Sequence, residues 1–291
     1  MADPNPSLDP FRKDLLAGKT TIVTGGGTGL GRSMALRLAG LGARVAVLGR
    51  RPAPLEETAR AIREAGGTAA AVSCDVRDPA AVKAAFDAAE DALGPVNQLV
   101  NGAAGNFLSA SEDLSPNAFH SVVQIVLYGT FHCTTELGRR LIARGQGGEI
   151  LAITTTYAAT GSAFVLPSAV AKAGVRALVQ SLAVEWATYG IRVNAIAPGP
   201  FPTEGAFSRL LPGSEMEKQA LARVPSRRFG RHDELTNLVA YLLSDASPYL
   251  TGDEVVLDGA EALFSGQQFA ALAHLPREKA KALMASLKPK K

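Results

Sequence analysis

The stretch Thr20-Thr-Ile-Val-Thr-Gly-Gly-Gly-Thr-Gly-Leu-Gly31 decides the fold, because a short apolar strand runs directly into a glycine-rich turn. An amphipathic helix is predicted after the turn, over 33–41. Glycines at such a junction let backbone N–H groups approach a pyrophosphate, and the helix N-terminus adds a partial positive charge. The sequence therefore predicts a dinucleotide site formed by Gly25, Gly26, Gly27, Thr28, Gly29, Leu30 and Gly31.

The alternation of apolar strands and amphipathic helices continues along the chain. Beyond 20–24, strands are predicted at 44–48, 69–73, 97–101, 149–154, 192–196 and 254–257. Helices are predicted between them, over 55–65, 80–92, 121–143 and 169–187. Near-continuous apolar strands separated by helices favour a parallel sheet covered on both faces. We therefore predict a doubly wound, Rossmann-type α/β fold in a single domain, with ligands beyond the carboxyl ends of its strands.

The predicted organisation is a leader (1–14), one α/β domain (15–265) and a tail (266–291) that resembles a basic surface helix. Within the domain, 198–231 is rich in glycine, proline and arginine and interrupts the alternation. Long irregular segments in compact domains usually have a function. We interpret this one as a flap over a substrate.

Composition excludes several classes of protein. The 291 residues are 47% hydrophobic and 20% charged, which is typical of a globular protein. A net charge of +3, from 30 basic and 27 acidic residues, is too balanced to indicate a nucleic-acid partner. No stretch is apolar enough for a membrane span, and 1–18 lacks a secretory signal, so a cytoplasmic location is predicted. Cys74 and Cys133 indicate buried thiols rather than disulfides, and the four histidines show no paired metal spacing.

The end of the second strand indicates which dinucleotide is bound. NAD-specific sites usually place an Asp or Glu there, on the ribose 2′-hydroxyl. Here the strand ends in Leu48-Gly-Arg-Arg51, and two guanidinium groups suit a 2′-phosphate. NADPH is therefore preferred over NADH. Asp75 follows the third strand and suits either the adenine amino group or a helix cap, since Pro79 indicates a nearby helix start.

Tyr157, Ser168 and Lys172 indicate the chemistry. Most nicotinamide reductases of this build carry a tyrosine one helical turn before the lysine. That position is Ser168 here, and the nearest tyrosine, Tyr157, lies eleven residues earlier. The displacement moves the acidic hydroxyl away from the position that reduction of a simple ketone requires.

With these motifs the chain resembles the short-chain dehydrogenase/reductase superfamily, and most closely its NADPH-dependent 2,4-dienoyl-CoA reductases. The resemblance covers roughly residues 11–288. The superfamily motifs are 24–31, 75–76, 101–105, Lys172, Asn194 and 198–199. The narrower markers are Ala104-Gly-Asn-Phe107, Ile125-Val-Leu-Tyr-Gly-Thr130, Tyr157, Ser168-Ala-Val-Ala-Lys172 and Gly205-Ala-Phe-Ser-Arg209.

The resemblance implies reduction of 2,4-dienoyl-CoA to 3-enoyl-CoA in unsaturated fatty-acid β-oxidation, by a homotetramer. Tyr157 and Asn106 would hold the thioester oxygen, and Lys172 would hold the nicotinamide ribose. Ser168 would support the cofactor and the hydrogen-bond network of the active site. Implied cofactor contacts are Arg50, Asp75, Val76, Lys172, Pro198, Gly199, Pro200 and Phe201. Implied acyl-CoA contacts are Arg50, Arg77, Asn106, Phe107, Ser115 and Arg209.

Some residues depart from the family pattern, and other functions stay open. Gly102 replaces the second asparagine of an Asn-Asn pair, and Ala260 replaces a glycine. Tyr128 stands where relatives often have a small or polar residue, so it would reshape an acyl pocket. The alternatives are an NADPH-dependent reductase of another carbonyl or enoyl substrate, and a non-catalytic NADP-binding scaffold.

The implied role of Arg209 can be tested directly. We expect Arg209→Ala to raise the apparent KM for acyl-CoA more than that for NADPH, because the guanidinium would bind CoA phosphates. Steady-state kinetics with each ligand varied in turn measures both values. Equal effects on the two ligands would argue against a dedicated CoA contact.

Overall fold

A seven-stranded parallel sheet forms the centre of the molecule. The computed structural model describes residues 9–203, 214–267 and 270–286. The strand order is β3-β2-β1-β4-β5-β6-β7, and every pair of neighbours is parallel. This confirms the predicted doubly wound α/β fold in a single domain. The strands are β1 (Thr20–Thr24), β2 (Arg44–Gly49), β3 (Thr68–Ser73), β4 (Gln98–Asn101), β5 (Gly148–Ile153), β6 (Ile191–Pro198) and β7 (Glu254–Leu257).

Helices cover the sheet on both faces. In chain order the described α-helices are α1 (Gly29–Gly40), α2 (Pro52–Glu64), α3 (Pro79–Leu93), α4 (Pro116–Val123), α5 (Gly129–Arg144), α6 (Leu166–Trp186), α7 (Ser214–Arg223), α8 (His232–Leu243), α9 (Glu261–Gly266) and α10 (Arg277–Ser286). Helices α1, α2 and α8 pack on one face, and α3, α5 and α6 on the other. None of these described helices is long and apolar enough to cross a bilayer.

Two hydrophobic cores lie on the two faces of the sheet. Successive residues of a strand point to opposite faces, so Ile22 belongs to one core and Val23 to the other. Both side chains are fully buried. This two-sided burial is the reason that the strands have nearly continuous apolar sequences and that their positions could be predicted.

The site lies where the chain changes its direction of winding. Strand β1 pairs with β2 on one side and with β4 on the other. The helices that follow β1 and β3 leave on opposite faces, so a crevice opens beyond the carboxyl ends of β1 and β4. The predicted glycine turn enters α1 at this crevice.

The predicted helix over 121–143 is longer and less regular in the structure. It begins at Pro116, where Ser115 accepts a hydrogen bond from the backbone N–H of Ala118 at 3.2 Å. A π-helical turn, Gln124–Tyr128, then joins α4 to α5. Hydrophobic periodicity does not reveal such a turn, because one inserted residue changes the phase by only a fraction of a helical turn.

The last residues of the predicted leader contact the domain. The Asp9 carboxylate pairs with Arg37 of α1, with 2.5 Å between Oδ1 and Nη2. The Arg37 guanidinium also lies 5.7 Å from the centre of the Phe11 ring. The pair with Arg37 lowers the pKa of Asp9 to about 2.

Cys74 and Cys133 are both buried and free, as predicted. Burial raises the pKa of the Cys74 thiol to about 11, and it raises the pKa of the Cys133 thiol as well. Both groups are therefore held as neutral thiols at physiological pH.

The contact between α5 and the end of α6 depends on Gly138. A Cβ atom there would lie 2.4 Å from the Trp186 ring. We expect Gly138→Ala to lower the free energy of unfolding by about 1–3 kcal/mol, because overpacking outweighs the better helix propensity of alanine. Urea unfolding followed by circular dichroism measures the change.

Gly40, also in a helix, provides the matched control. A Cβ atom there would meet nothing within 4 Å. Gly40→Ala is therefore expected to leave stability unchanged or to raise it by up to about 1 kcal/mol. A Gly138→Ala protein as stable as the Gly40→Ala protein would contradict this account of the helix contact.

Candidate active site

Two adjoining cavities open at the carboxyl edge of the sheet. The first, of about 380 Å³, lies beyond β1, β2 and β3. The second, of about 780 Å³, continues from the glycine turn to the start of α6. The two share lining residues Gly25, Thr28, Arg51 and Ala104. Together they form one elongated cleft with the shape and the phosphate-binding turn that a dinucleotide requires.

The glycines of the turn are required by geometry for different reasons. Gly25 has a φ of +70°, a conformation that favours glycine. A Cβ atom at Gly31 would lie 2.1 Å from the Gly25 carbonyl oxygen, so α1 can begin against the turn only without a side chain there. Gly26 is buried against Val47 instead and lines neither part of the cleft. Sequence alone could not separate these roles.

Arginine and aspartate side chains lie at the adenosine end of the cleft. Arg50, Arg51 and Asp75 all line the first cavity. Arg77 forms a two-point pair with Asp75, with 2.9 Å from Nε to Oδ1 and 2.5 Å from Nη2 to Oδ2. This hydrogen-bonded pair lowers the pKa of Asp75. The predicted acyl-CoA contact Arg77 is thus bonded to the predicted adenine contact.

The helix-cap interpretation of Asp75 is wrong. The cap of α3 is Asp78, which accepts from the backbone N–H of Ala80 at 2.8 Å. Asp75 precedes that cap by one turn of loop and faces the first cavity. The Asp75 carboxylate therefore does not cap α3.

The predicted catalytic side chains converge on one hydroxyl group. Asn106 Nδ2 donates to the Tyr157 hydroxyl oxygen at 3.2 Å, and Ser168 Oγ lies 3.1 Å from the same oxygen. The backbone N–H of Phe107 donates to Asn106 Oδ1 at 2.9 Å. Because its oxygen is occupied in this way, the Asn106 amide presents its NH₂ group to Tyr157. The arrangement places two neutral donors side by side.

Each of these side chains belongs to a different segment at the carboxyl edge. Asn106 lies on the loop after β4, and Tyr157 lies in a short 3₁₀ turn, Thr156–Ala158, after β5. Ser168 lies in the first turn of α6 and is buried. The displaced tyrosine therefore reaches the position beside Ser168 from a separate loop and not from the helix.

Lys172 lies one helical turn after Ser168 and is also buried. Its ammonium group donates to the backbone carbonyl of Ile153, the last residue of β5. Burial lowers the pKa of Lys172 to about 8. The stability of the charged lysine at neutral pH thus depends on hydrogen bonds from the ammonium group to nearby polar groups, and a bound ribose would provide further ones.

A third cavity, of about 730 Å³, adjoins the cleft. It shares with the second cavity the residues Asn106, Thr155, Tyr157, Pro198, Gly199 and Phe201. The Asn106–Tyr157 pair therefore stands at the boundary between the cofactor cleft and a second compartment. The apolar side chains of Leu108 and Val165 form part of the wall of this compartment, and an apolar wall suits an acyl chain.

A charged pair also lines the third cavity, and sequence reasoning missed it. Arg223 Nε lies 3.6 Å from Glu261 Oε1. Burial raises the pKa of Glu261. Arg223 falls in the predicted flap, and that position was the available signal. Glu261 is the first residue of α9, which no local motif marks.

Other predicted substrate contacts lie apart from this cavity or outside the described residues. Phe107 packs against the hydrophobic core, and Ser115 caps α4. Tyr128 is exposed, with its ring centre 6.5 Å from that of His132. Arg209 and the marker 205–209 lie outside the described residues. The substrate roles of these residues stay predictions.

Comparison with known proteins adds family information to this geometry. The profile of the enoyl-(acyl carrier protein) reductase family matches residues 25–260. An uncharacterized oxidoreductase of Caenorhabditis elegans is 50% identical, over 84% of this chain and 80% of its own. A probable (3E)-enoyl-CoA-producing 2,4-dienoyl-CoA reductase of the same organism is 44% identical, over 88% and 84%. A probable (2E)-enoyl-CoA-producing 2,4-dienoyl-CoA reductase of Bacillus subtilis is 42% identical, over 84% and 96%.

A solved structure supports the nature of the cleft. A dehydrogenase from Agrobacterium tumefaciens, determined with bound NADP, superposes with a TM-score of 0.80 at 33% identity. The match covers 87% of this chain and all of that one, at 100%. The cleft described here thus belongs to a fold in which a nicotinamide dinucleotide has been observed.

The depressed pKa of Lys172 predicts how stability depends on pH. Below about pH 8 the native lysine is charged in a buried site, which destabilises the native state. Between that value and the unfolded value near 10.4 the unfolded state binds more protons, so stability rises with pH. We expect Lys172→Met to be more stable than wild type at pH 7 by about 1–3 kcal/mol without cofactor, with the difference closing towards pH 10.

Urea unfolding at fixed protein concentration and a series of pH values measures this difference. Lys281→Met, which removes an exposed lysine of α10, is the control and should show no such pH dependence. A Lys172→Met protein whose stability parallels wild type across pH 7–10 would contradict the depressed pKa.

Proposed function

The chain belongs to the short-chain dehydrogenase/reductase superfamily, and we propose that within it the protein reduces 2,4-dienoyl-CoA to 3-enoyl-CoA with NADPH, in the β-oxidation of unsaturated fatty acids. One observation carries this proposal. The Tyr157 hydroxyl and the Asn106 amide lie 3.2 Å apart on two loops at the boundary of the third cavity. Ser168 occupies the helical position that a ketone-reducing tyrosine would take.

The chemistry of a conjugated thioester suits this displaced pair of donors. When bound, the cofactor supplies a hydride, which in this proposal goes to C5 of the dienoyl group. The electrons of the C4=C5 bond then form C3=C4, those of C2=C3 form C1=C2, and negative charge appears on the C1 oxygen. The charge therefore develops several bonds away from the point of attack, where a donor on a separate loop can meet it.

Tyr157 and Asn106 would stabilise that oxygen. Both groups are neutral donors whose orientation is set before substrate arrives, Asn106 by Phe107 and Tyr157 by Ser168. A preorganised donor of this kind contributes roughly 3–4 kcal/mol to transition-state stabilisation. In this proposal Ser168 keeps the tyrosine hydroxyl in place, and Lys172 holds the ribose from the floor of the cleft.

The position of the last protonation decides the product. A proton added at C2 of the dienolate leaves C3=C4, which is a 3-enoyl-CoA, whereas a proton added at C4 leaves a 2-enoyl-CoA. The two probable reductases described above carry one product name each. We propose protonation at C2 by water, because C2 is bonded to C1, whose oxygen would lie beside Asn106 and Tyr157 in the third cavity.

The cofactor is proposed to be NADPH rather than NADH. Arg50 and Arg51 both line the first cavity, at the end of β2 where a 2′-phosphate would lie. Planar guanidinium groups bind phosphate through two hydrogen bonds each. The strand end carries no carboxylate that would repel the phosphate.

Further parts of the proposal follow from the resemblance. A homotetramer is supported by apolar side chains that are exposed on α5 and α6, namely Phe131, Val170 and Val184. Tyr128, in the π-helical turn before α5, is exposed as well. We also keep as predictions a cytoplasmic location, the domain limits 15–265 and a substrate flap over 198–231.

The substrate assignment is tested by NADPH oxidation with 2,4-hexadienoyl-CoA and identification of the product. Parallel reactions contain a 3-ketoacyl-CoA, a 2-enoyl-CoA or no acyl-CoA. Rapid dienoyl-dependent oxidation that yields a 3-enoyl-CoA is the expected result. Turnover of the ketone alone would favour a different carbonyl reductase, and tight NADPH binding without turnover on short or long dienoyl-CoA would favour a scaffold.

The role of Tyr157 is tested by Tyr157→Phe, which removes only the hydroxyl group. We expect kcat to fall by on the order of 100-fold or more, because one oxyanion donor is lost. The dissociation constant for NADPH, measured by fluorescence titration, should stay within about twofold, since the aromatic ring remains. Near-normal turnover would remove Tyr157 from the mechanism.

A further inference from the structure

The segment 198–203 is the wall that separates the cofactor cleft from the third cavity. Pro198, Gly199 and Phe201 line both compartments, and Thr203 lines the cleft. The backbone N–H of Gly199 donates to Leu257 O at 3.0 Å. Because one short segment faces both ligands, its position affects the shape of both sites.

The loop before α8 and the first residue of that helix contact three consecutive residues of this wall, 200–202. The backbone N–H of Gly230 donates to Pro200 O at 3.1 Å. The buried Phe201 ring packs directly on Gly230, where a Cβ atom would lie 2.4 Å from the ring. Two residues further along, His232 Nε2 lies 2.7 Å from Pro202 O.

His232 also contacts the glycine helix with its other ring nitrogen. Its Nδ1 lies 2.7 Å from Ser33 Oγ, across 199 residues of sequence. A carbonyl oxygen only accepts, so Nε2 must carry the proton that is donated to Pro202. In the neutral ring Nδ1 then accepts from the Ser33 hydroxyl. The imidazole thus joins the wall to α1 by two hydrogen bonds.

Ser33 lies one turn after Gly29, the first residue of α1. Its hydroxyl is also 3.3 Å from the Gly29 carbonyl oxygen. The Thr203 methyl group lies 3.5 Å from the position that a Cβ atom of Gly29 would take. The pyrophosphate end of the cleft and the wall therefore meet twice, once through packing and once through His232.

Helix α8 does not need the His232 side chain in order to begin. The backbone N–H of Arg231 donates to Glu234 Oε2 at 2.8 Å, and the N–H of Glu234 donates to Arg231 O at 3.1 Å. These bonds at the helix start form without the imidazole. The imidazole instead extends from the helix start to two other elements.

We propose that His232 is a positioning residue that couples the occupancy of the cofactor cleft to the position of the 198–203 wall. A dinucleotide orders the N-terminus of α1, and Ser33 and His232 transmit that order to Pro202. Pro202 directly follows Phe201, which lines the third cavity, so holding its carbonyl group also holds that part of the cavity wall. The identity of the acyl substrate rests on the function proposed above. The coupling itself rests on the described contacts.

Hydrogen–deuterium exchange reads this coupling without any substrate. Residues 198, 200 and 202 are prolines, so a peptide over the wall reports only the amides of Gly199, Phe201 and Thr203. NADPH is expected to slow exchange in this peptide by about tenfold in wild type, since one hydrogen bond to an ordered partner has this effect. The peptide over 25–31 reports cofactor binding in the same sample.

Two substitutions divide the His232 contacts between them. His232→Asn keeps a polar atom near the Nδ1 position and removes the donor to Pro202. His232→Gln keeps a donor near the Nε2 position and removes the partner of Ser33. Without cofactor, the wall should exchange faster in His232→Asn and at the wild-type rate in His232→Gln. With NADPH, its protection should fall below about twofold in both, while 25–31 stays protected.

Kinetics supply a second readout. In His232→Asn the KM for 2,4-hexadienoyl-CoA should rise about fivefold to tenfold, with the NADPH dissociation constant within about twofold. Ser33→Ala should lose the NADPH-dependent protection of the wall as His232→Gln does. His120→Asn, which changes an exposed histidine of α4, is the control and should match wild type.

The outcomes distinguish this proposal from others. If NADPH protects the wall equally in wild type, His232→Asn and His232→Gln, the coupling is absent. If the variants weaken NADPH binding severalfold, lower the melting temperature and speed up exchange in the 25–31 peptide as well as in the wall, His232 is merely structural, and the proposal is wrong. If exchange behaves as expected but no dienoyl-CoA is reduced, the coupling stands and the proposed substrate fails.

Discussion

The site depends on two hydrogen bonds that the Thr24 hydroxyl accepts at the end of β1. The backbone N–H groups of Gly102 and Ala103 both donate to its Oγ1, at 3.1 Å each. A Cβ atom at Gly25 would approach Gly102 O to 2.9 Å, so the two chains touch. An unsatisfied buried donor costs about 1–3 kcal/mol, so the glycine turn and the loop after β4 are held in one arrangement. That loop carries Asn106.

From this junction the chemistry is distributed along the carboxyl edge of the sheet. The turn after β1 suits a pyrophosphate, the ends of β2 and β3 present charges to the adenosine half, and the loops after β4 and β5 present neutral donors. Tyr157 comes from a loop and Lys172 from a helix, so the tyrosine hydroxyl and the buried lysine are positioned independently. This separation suits the proposed reaction, in which negative charge develops on the thioester oxygen, several bonds from the carbon that receives the hydride.

Prediction from sequence succeeded where the signal is local. The strands at 20–24 and 254–257 have the predicted bounds, and the other strands differ by one or two residues at an end, because burial demands continuous apolar runs. The displaced Tyr157 beside Ser168 could be anticipated from spacing and family resemblance. The role of Asp75 was ambiguous between an adenine contact and a helix cap, and only the structure shows that Asp78 caps α3. Gly26 belongs to the predicted phosphate turn, and only the structure shows that it packs against Val47.

By itself, the sequence determined the α/β alternation, the glycine turn and the lysine helix, because each depends on residues within a few positions of one another. The tertiary structure alone decided that Asn106 donates to Tyr157 across 51 residues and that Glu261 faces the third cavity. It also decided that His232 lies between Ser33 and Pro202. Such contacts arise where separate loops meet beyond the sheet, and their partners depend on how helices and strands pack rather than on any local pattern.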